Sequence, residues 1–193
     1  MVVSMRVACI SGSYKKDGNT SLVIKSLVEK LENSGIPNLK IKKISLSGVR
    51  IHPCRGCEKC RKSGKCVIKD DFHSIVKKIQ KSDLIIIGSP VYFHDVCGQI
   101  KNLVDRSFSL WHEKQLRGKR VIPVAVSAEL GEERTLETLR IWAQAHEMKI
   151  IRSVSGHGYK PGDVKNDEQM QRLVDATIND LICTGNLNER DIS

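Results

Sequence analysis

Aromatic side chains are scarce, at 4% of 193 residues, which removes most of the stacking platforms on which single-stranded nucleic acid is held. No apolar run approaches the length needed to cross a membrane. The residues before the first apolar segment are too few and too polar to introduce an export signal. Internal repeats and low-complexity tracts are missing as well. These absences leave a globular, cytoplasmic chain, read as one domain over residues 1–193. Neither membrane nor nucleic acid is an expected partner.

Thiol, by contrast, is plentiful. Seven cysteines occur, and four fall within thirteen residues as Cys54-Arg-Gly-Cys57-Glu-Lys-Cys60-Arg-Lys-Ser-Gly-Lys-Cys66. A [4Fe–4S] cube asks for one thiolate at each of four iron corners, and closely spaced cysteines on a pliant loop supply them. The run is close to that of bacterial ferredoxins, but its last gap is longer, Val67 rather than proline follows, and no second triplet exists for a partner cluster. Cys54, Cys57, Cys60 and Cys66 therefore read as the ligands of a single cluster. Zinc is the alternative, with His52 or His73 as spare ligands, although structural zinc sites usually draw on two separated knuckles. A disulfide framework is disfavoured by the odd cysteine count and the missing export signal. Cys9, Cys97 and Cys183 read as packing residues.

The net charge of +10 is concentrated around those thiols. Arg50, Arg55, Lys59, Arg61, Lys62, Lys65 and Lys69 stand against Glu58 alone. Cations here would stabilise a reduced, anionic cluster and steer an acidic partner toward it. A solvated charge run is the plainer alternative.

Apolar periodicity alternates between the two regular structures. Strands are predicted over Val7–Ile10, Leu39–Leu46, Leu84–Ile87, Val121–Val126 and Lys149–Val154. Helices are predicted from about Thr20, from Asp70 or Asp71, over Ile100–Trp111, over Glu132–Glu147 and over Met170–Leu181. Pro123 is awkward for a central ladder position. The alternation predicts an α/β fold, a doubly wound five-stranded parallel sheet of flavodoxin-like order 2-1-3-4-5. The cysteine-rich loop, at about 50–70, is inserted after the second strand. Ligands of such sheets bind beyond the carboxyl ends of the first and third strands.

Three loops meet that edge. The first carries Ser11, Ser13, Gly18, Asn19, Thr20 and Ser21 into a helix start, where hydroxyls, backbone N–H groups and the helix dipole suit a phosphomonoester such as that of FMN. It matches neither a GxGxxG turn nor a P-loop, and an ordinary capped loop is the alternative. The second, Ser89-Pro90-Val91-Tyr92-Phe93, supplies a rigid proline and two aromatics for a flat ring such as isoalloxazine. The third, with Ser127, Ala128 and Gly131, could close the ring's other side. His94 could donate a proton to reduced flavin, the alternative being a hydrogen-bonded surface histidine.

Together, Ser11-Gly12-Ser13…Gly18-Asn19-Thr20, the Pro53–Asp71 cysteine segment and Gly88-Ser89-Pro90-Val91-Tyr92-Phe93…Gly98-Gln99-Ile100-Lys101 resemble the iron–sulfur flavoproteins. These belong to the NADPH-dependent FMN reductase branch of the flavodoxin-like proteins. The likeness runs from about residue 5 to 160. It implies FMN in the pocket, a [4Fe–4S] cluster on the cysteines, and a homo-oligomer (dimer or tetramer) whose cluster serves a flavin across a subunit interface. Two departures stand out: Ala128-Glu129-Leu130-Gly131 replaces a glycine pair, so Glu129 is expected to face solvent, and His94-Asp95-Val96-Cys97 replaces smaller residues. The implied function is electron transfer, with single electrons passing from an acidic ferredoxin-like donor through the cluster to FMN. The reduced flavin would then serve a quinone, oxygen or peroxide, or another protein. The alternatives are an NAD(P)H-dependent FMN or quinone reductase without a cluster, and a zinc-stapled basic binding module.

Overall fold

The computed structural model describes residues 4–187. In chain order the elements are β1 (Arg6–Ser11), α1 (Asn19–Glu32), β2 (Lys40–Ser45), α2 (Cys60–Ser63), α3 (Phe72–Gln80), β3 (Leu84–Tyr92) and β4 (Asp95–Val96). They continue with α4 (Gly98–Arg106), α5 (Phe108–Trp111), β5 (Arg120–Ser127), α6 (Glu132–Ala145), β6 (Lys149–Ile150), β7 (Val154–His157) and α7 (Glu168–Leu187).

The main sheet runs β2-β1-β3-β5-β6, with parallel neighbours throughout, and β7 continues beside β5. This is the doubly wound order, and the reversal between β1 and β3 opens the crevice at their carboxyl ends. Because side chains alternate across a strand, each central strand feeds two cores. Ala8, Ile10, Ile85 and Ile87 pack on one face with residues of α3, α4, α5 and α6. Val7, Cys9, Leu84 and Ile86 pack on the other with α1 and α7. The outer strand β2 instead presents Lys40, Lys42 and Lys43 in partly or fully exposed positions, charges that discourage pairing at an open edge.

The expected count of five strands becomes seven among the described residues, for two local reasons. First, β3 runs past the sheet and turns back through Phe93 and His94 into β4, pairing Val91 with Val96 and Tyr92 with Asp95. Second, the last strand is divided. Arg120 faces Lys149 but Val124 faces Val154, so one extra residue is accommodated between β6 and β7, the signature of a bulge. Pro123 lies opposite that break. Ile151 N donates to Val121 O at 3.0 Å, so alternate residues 121 and 123 face this side, and the proline's missing N–H falls where the ladder is already interrupted.

The single helix expected over Ile100–Trp111 is likewise broken at Ser107. Its hydroxyl donates to Val104 O at 2.6 Å, accepts from Trp142 Nε1 at 2.8 Å and lies 2.9 Å from His146 Nε2. Back-bonding of this kind bends a helix. Cys9 and Cys97 are buried as expected, and burial pushes the Cys9 thiol up to about 12. Cys183 is a correction, for it lies on the exposed face of α7.

Candidate cofactor site

At the carboxyl end of β1 the chain reaches α1 over residues 12–18. Gly12 N donates to Gly88 O at 2.8 Å. A Cβ on Gly12 would stand 2.5 Å from Ile100 Cγ1 and 2.7 Å from Cys97 Sγ, so only glycine lets this loop lie so close to α4 and the hairpin. Gly18 caps α1 without a side-chain hydrogen bond, and the first turn holds no acid. Around it, Ser11 Oγ and Ser21 Oγ are 2.9 Å apart, Ser13 N donates to Ser11 Oγ at 3.3 Å, and Ser13 Oγ donates to Lys15 O at 3.0 Å. Thr20 is buried beside them. A helix start with unspent N–H groups, ringed by hydroxyls, fits the phosphate of FMN. Asn19 does something else. Its Nδ2 donates to Gly158 O and Lys160 O, both at 2.9 Å, and its Oδ1 accepts from Gly162 N at 2.8 Å, which fastens the 158–162 loop to the helix start.

Beyond β3 the side chains divide into scaffold and surface. Ser89 is fully buried, and its hydroxyl donates to Pro90 O at 2.8 Å and accepts from Cys97 N at 2.9 Å. It braces the hairpin. Pro90 and Val91 are half-buried, while Tyr92 is exposed and Phe93 fully so. Phe93 and His94 take φ of 52° and 63°. Two left-handed residues in succession make the two-residue hairpin turn that Asn-Gly or Gly-Gly usually forms, and non-glycine residues held there carry strain, a feature that clusters at functional sites. His94 makes no hydrogen bond among the described residues and lies against Gly131. Gly131, at φ 98°, leaves no room for a Cβ, which would approach His94 Cα to 2.7 Å. In the same loop Ala128 and Glu129 are exposed and Ser127 is buried.

Ser127 belongs to a polar cluster that the sequence did not single out. Its Oγ donates to Glu132 Oε2 at 3.0 Å and lies 3.0 Å from His157 Nδ1, and His157 Nε2 is 3.6 Å from Glu132 Oε1. The cluster joins the ends of β5 and β7 to the start of α6. Its members come from three elements, so no local pattern announces it.

The cysteine loop leaves β2 and carries no strand. Cys54 and Cys57 are exposed, whereas Cys60, at the start of α2, and Cys66 are half-buried. All four line one cavity of about 100 Å³, with Ile68, Asp105, Arg106 and Phe108 among its other walls. Burial pushes the Cys60 thiol up, and so does the negative charge of Cys66, Cys54 and Cys57 close by. Gly56 N donates to Cys54 Sγ at 3.5 Å. Gly56 (φ 60°), Glu58 (φ 53°) and Gly64 (φ 62°) provide the sharp turns that bend the loop around the cavity. Among the described residues, no three His, Cys, Asp or Glu side chains stand close enough to hold a single metal ion. A cube spreads its thiolates over four iron corners, so four sulfurs spaced around one small cavity fit it better than they fit zinc. The spare histidines face elsewhere: His52 Nδ1 is 3.2 Å from Asp70 Oδ2, and His73 Nε2 is 3.0 Å from Ile68 O. The seven basic side chains are all exposed, and Arg61 pairs with Glu58 at 3.2 Å.

Arg106, also missed in the sequence, is buried beneath this loop and ion-pairs with Asp70. Burial alone would raise the Asp70 carboxyl, but hydrogen bonds from Arg106, the His52 backbone and side chain, and the Phe72 amide hold it down at about 2. The available signal was a charge at the place in α4 where Ile100 and Leu103 predict an apolar residue.

The NADPH-dependent FMN reductase family model matches residues 5–160. An iron-sulfur flavoprotein of Methanocaldococcus jannaschii is 38% identical over 174 residues, spanning 85% of this chain and 89% of that one. An iron-sulfur flavoprotein of Archaeoglobus fulgidus is 31% identical, over 87% of this chain and 75% of its own. Among solved structures, the NAD(P)H:quinone oxidoreductase from Methanothermobacter marburgensis superposes with a TM-score of 0.70 at 15% identity, covering 92% and 96% of the two chains. At that identity the likeness establishes the fold alone.

Proposed function

This chain belongs to the NADPH-dependent FMN reductase family, and from that premise we propose that it is an electron-transfer iron–sulfur flavoprotein holding both FMN and a [4Fe–4S] cluster. When bound, the cluster supplies one-electron exchange and the flavin adapts it to two-electron chemistry. The observation that carries the reading is the convergence of Cys54, Cys57, Cys60 and Cys66 on one cavity.

The chain's own residues divide the work. Gly18, Ser11, Thr20 and Ser21 bind the flavin phosphate through neutral donors, and Ser13, whose N–H and hydroxyl go to Ser11 Oγ and Lys15 O, shapes the loop around it. Tyr92 and Phe93 offer flat faces to its ring, and the rigid Pro90 orients them. Gly131 lets the third loop approach from the opposite side. The exposed cations between Arg50 and Lys69 attract an acidic, ferredoxin-like protein to the thiolates. A quinone, oxygen or peroxide, or another protein, takes the electrons at the flavin edge. Exposure of Phe93, Tyr92 and Leu130 supports assembly into a homo-oligomer that covers them. Free thiols suit a reducing, cytoplasmic setting.

A second reading, an NAD(P)H-dependent FMN or quinone reductase without a cluster, is favoured by the family's name. Anaerobic reconstitution separates the two. About four irons and four sulfides per chain, bound together with flavin, is the result expected of a single cluster. Flavin with no iron would leave the second reading standing.

A further inference from the structure

Arg106 closes α4, and its side chain is completely buried. Its donors reach both ends of the cysteine loop. Nη1 donates to the Asp70 carboxylate and, at 3.4 Å, to His52 O, while Nη2 donates to Ile68 O at 3.0 Å. The Phe72 ring centroid lies 4.3 Å from the guanidinium carbon, a cation–π contact in a dry setting. Nearby, Asn102 Nδ2 donates to Ile51 O at 2.8 Å. One donor remains. Arg106 Nε is buried and has no partner, although a buried N–H without an acceptor is costly and rare. The same residue lines the cavity that the four cysteines share.

Resting on the cluster reading above, the geometry points to Arg106 as a positioning residue that clasps both ends of the loop and offers Nε–H to a sulfur of the anionic group held by the four thiolates. Lysine cannot substitute. Its ammonium keeps the charge but lacks the planar fork that serves Asp70, Ile68 and the cavity at once. Asp70 balances the guanidinium charge, so the pair sets the field beneath the thiolates through both a donor and a neutralised cation. Each added hydrogen bond to sulfur favours the reduced, more negative state.

The test uses the full chain reconstituted anaerobically with iron, sulfide and FMN, in wild type, Arg106→Lys and Asp70→Asn. Three readouts are taken: the iron–sulfur midpoint potential, the rate of iron loss to a ferrous chelator, and amide exchange over residues 52–70 in the apoprotein. In Arg106→Lys the potential is expected to fall by about 59 mV or more, the value of a tenfold change for a one-electron couple. Iron loss should become about tenfold faster, and exchange at the loop's ends should rise without the metal. FMN content should not change. In Asp70→Asn, which removes a buried anion, the potential should rise instead. A wild-type potential and wild-type iron loss in Arg106→Lys would overturn the proposal. Should that variant fail to fold or load, an unchanged potential in Asp70→Asn would overturn it equally. A wild-type chain that takes up FMN but no iron would overturn the cluster reading itself, a separate outcome.

Discussion

The cysteine loop and the β3–β4 hairpin both stand beyond the carboxyl ends of strands, yet they keep their shapes by opposite means. The hairpin is held by backbone pairing of Val91 with Val96 and Tyr92 with Asp95, and by the buried Ser89 hydroxyl at its base. The cysteine loop has no ladder. Its regular structure is the four-residue α2, and it hangs from Arg106, Asp70 and Asn102. A surface that meets a flat ring from one side can be built from a strand. A segment that must surround a compact body turns its side chains inward from several directions, which a strand's alternation forbids, so this loop borrows order from the buried Arg106 side chain.

The contrast predicts that the two cofactor regions can be disabled separately. Cys57→Ala should abolish iron binding while leaving flavin content unchanged, since Cys57 lines the cavity that the four thiols share. A variant that kept all its iron would remove Cys57 from the ligand set.

Acid should act next, on the packing between α4 and α6 before it reaches the Asp70 clasp. Burial lowers the His146 imidazole to about 4 from its usual 6.5. The Ser107 hydroxyl spends its proton on Val104 O, so His146 Nε2 must be the donor between them, and the orphaned Nδ1 would become a buried cation on protonation. The unfolded chain therefore takes up a proton below pH 6.5 that the folded chain refuses until about 4. Stability is full above pH 6.5 and falls by roughly 3 kcal/mol on the way to pH 4. The Asp70 clasp, with its lowered carboxyl, contributes fully above its ordinary value near 4 and is lost only as pH falls through about 2. Denaturant unfolding of wild type and His146→Gln at pH 7 and 4.5 checks this, because a His146→Gln chain as acid-sensitive as wild type would refute the assignment.

Gly12→Ala tests the strand-built side. Its Cβ would press on Ile100 and Cys97, an overpacking of about 1–3 kcal/mol. FMN affinity, followed by flavin fluorescence, should weaken roughly tenfold or more, with iron content unchanged. Equal loss of both cofactors would show that the two regions are not independent.

The smallest effect is kinetic. Raising salt from about 0.05 to 0.5 M should slow reduction by an acidic protein donor about tenfold, because exposed charges are screened. Reduction of a neutral quinone at the flavin edge should not change. A flat donor rate would count against the basic loop as the docking surface.

Much of this was legible in the chain because it is written locally. The cysteine spacing, the 3.6- and 2-residue periodicities and the hydroxyl-rich turn before α1 each occupy one short segment. Pro123 is a misfit for a continuous ladder by its chemistry alone, but only the register shift between β6 and β7 explains why it is tolerated. Ser89 and Asn19 look like ligand contacts in sequence, yet in the fold their side chains brace the loops. Arg106 falls inside the helix predicted over Ile100–Trp111, where its spacing from Ile100 and Leu103 hints at burial, but nothing nearby in the chain names the partners it meets.

The chain alone thus carried the layered α/β architecture and the four thiols of one loop, because periodicity and spacing are properties of neighbouring residues, while the strand order followed from the commonest arrangement of such a sheet. Only the tertiary structure decided that Arg106 would meet His52, Ile68 and Asp70, which are 54, 38 and 36 residues away. It also brought Ser127, Glu132 and His157 into contact. Such meetings arise where packing excludes water and each buried donor must find an acceptor in the folded chain, a condition that no local pattern records.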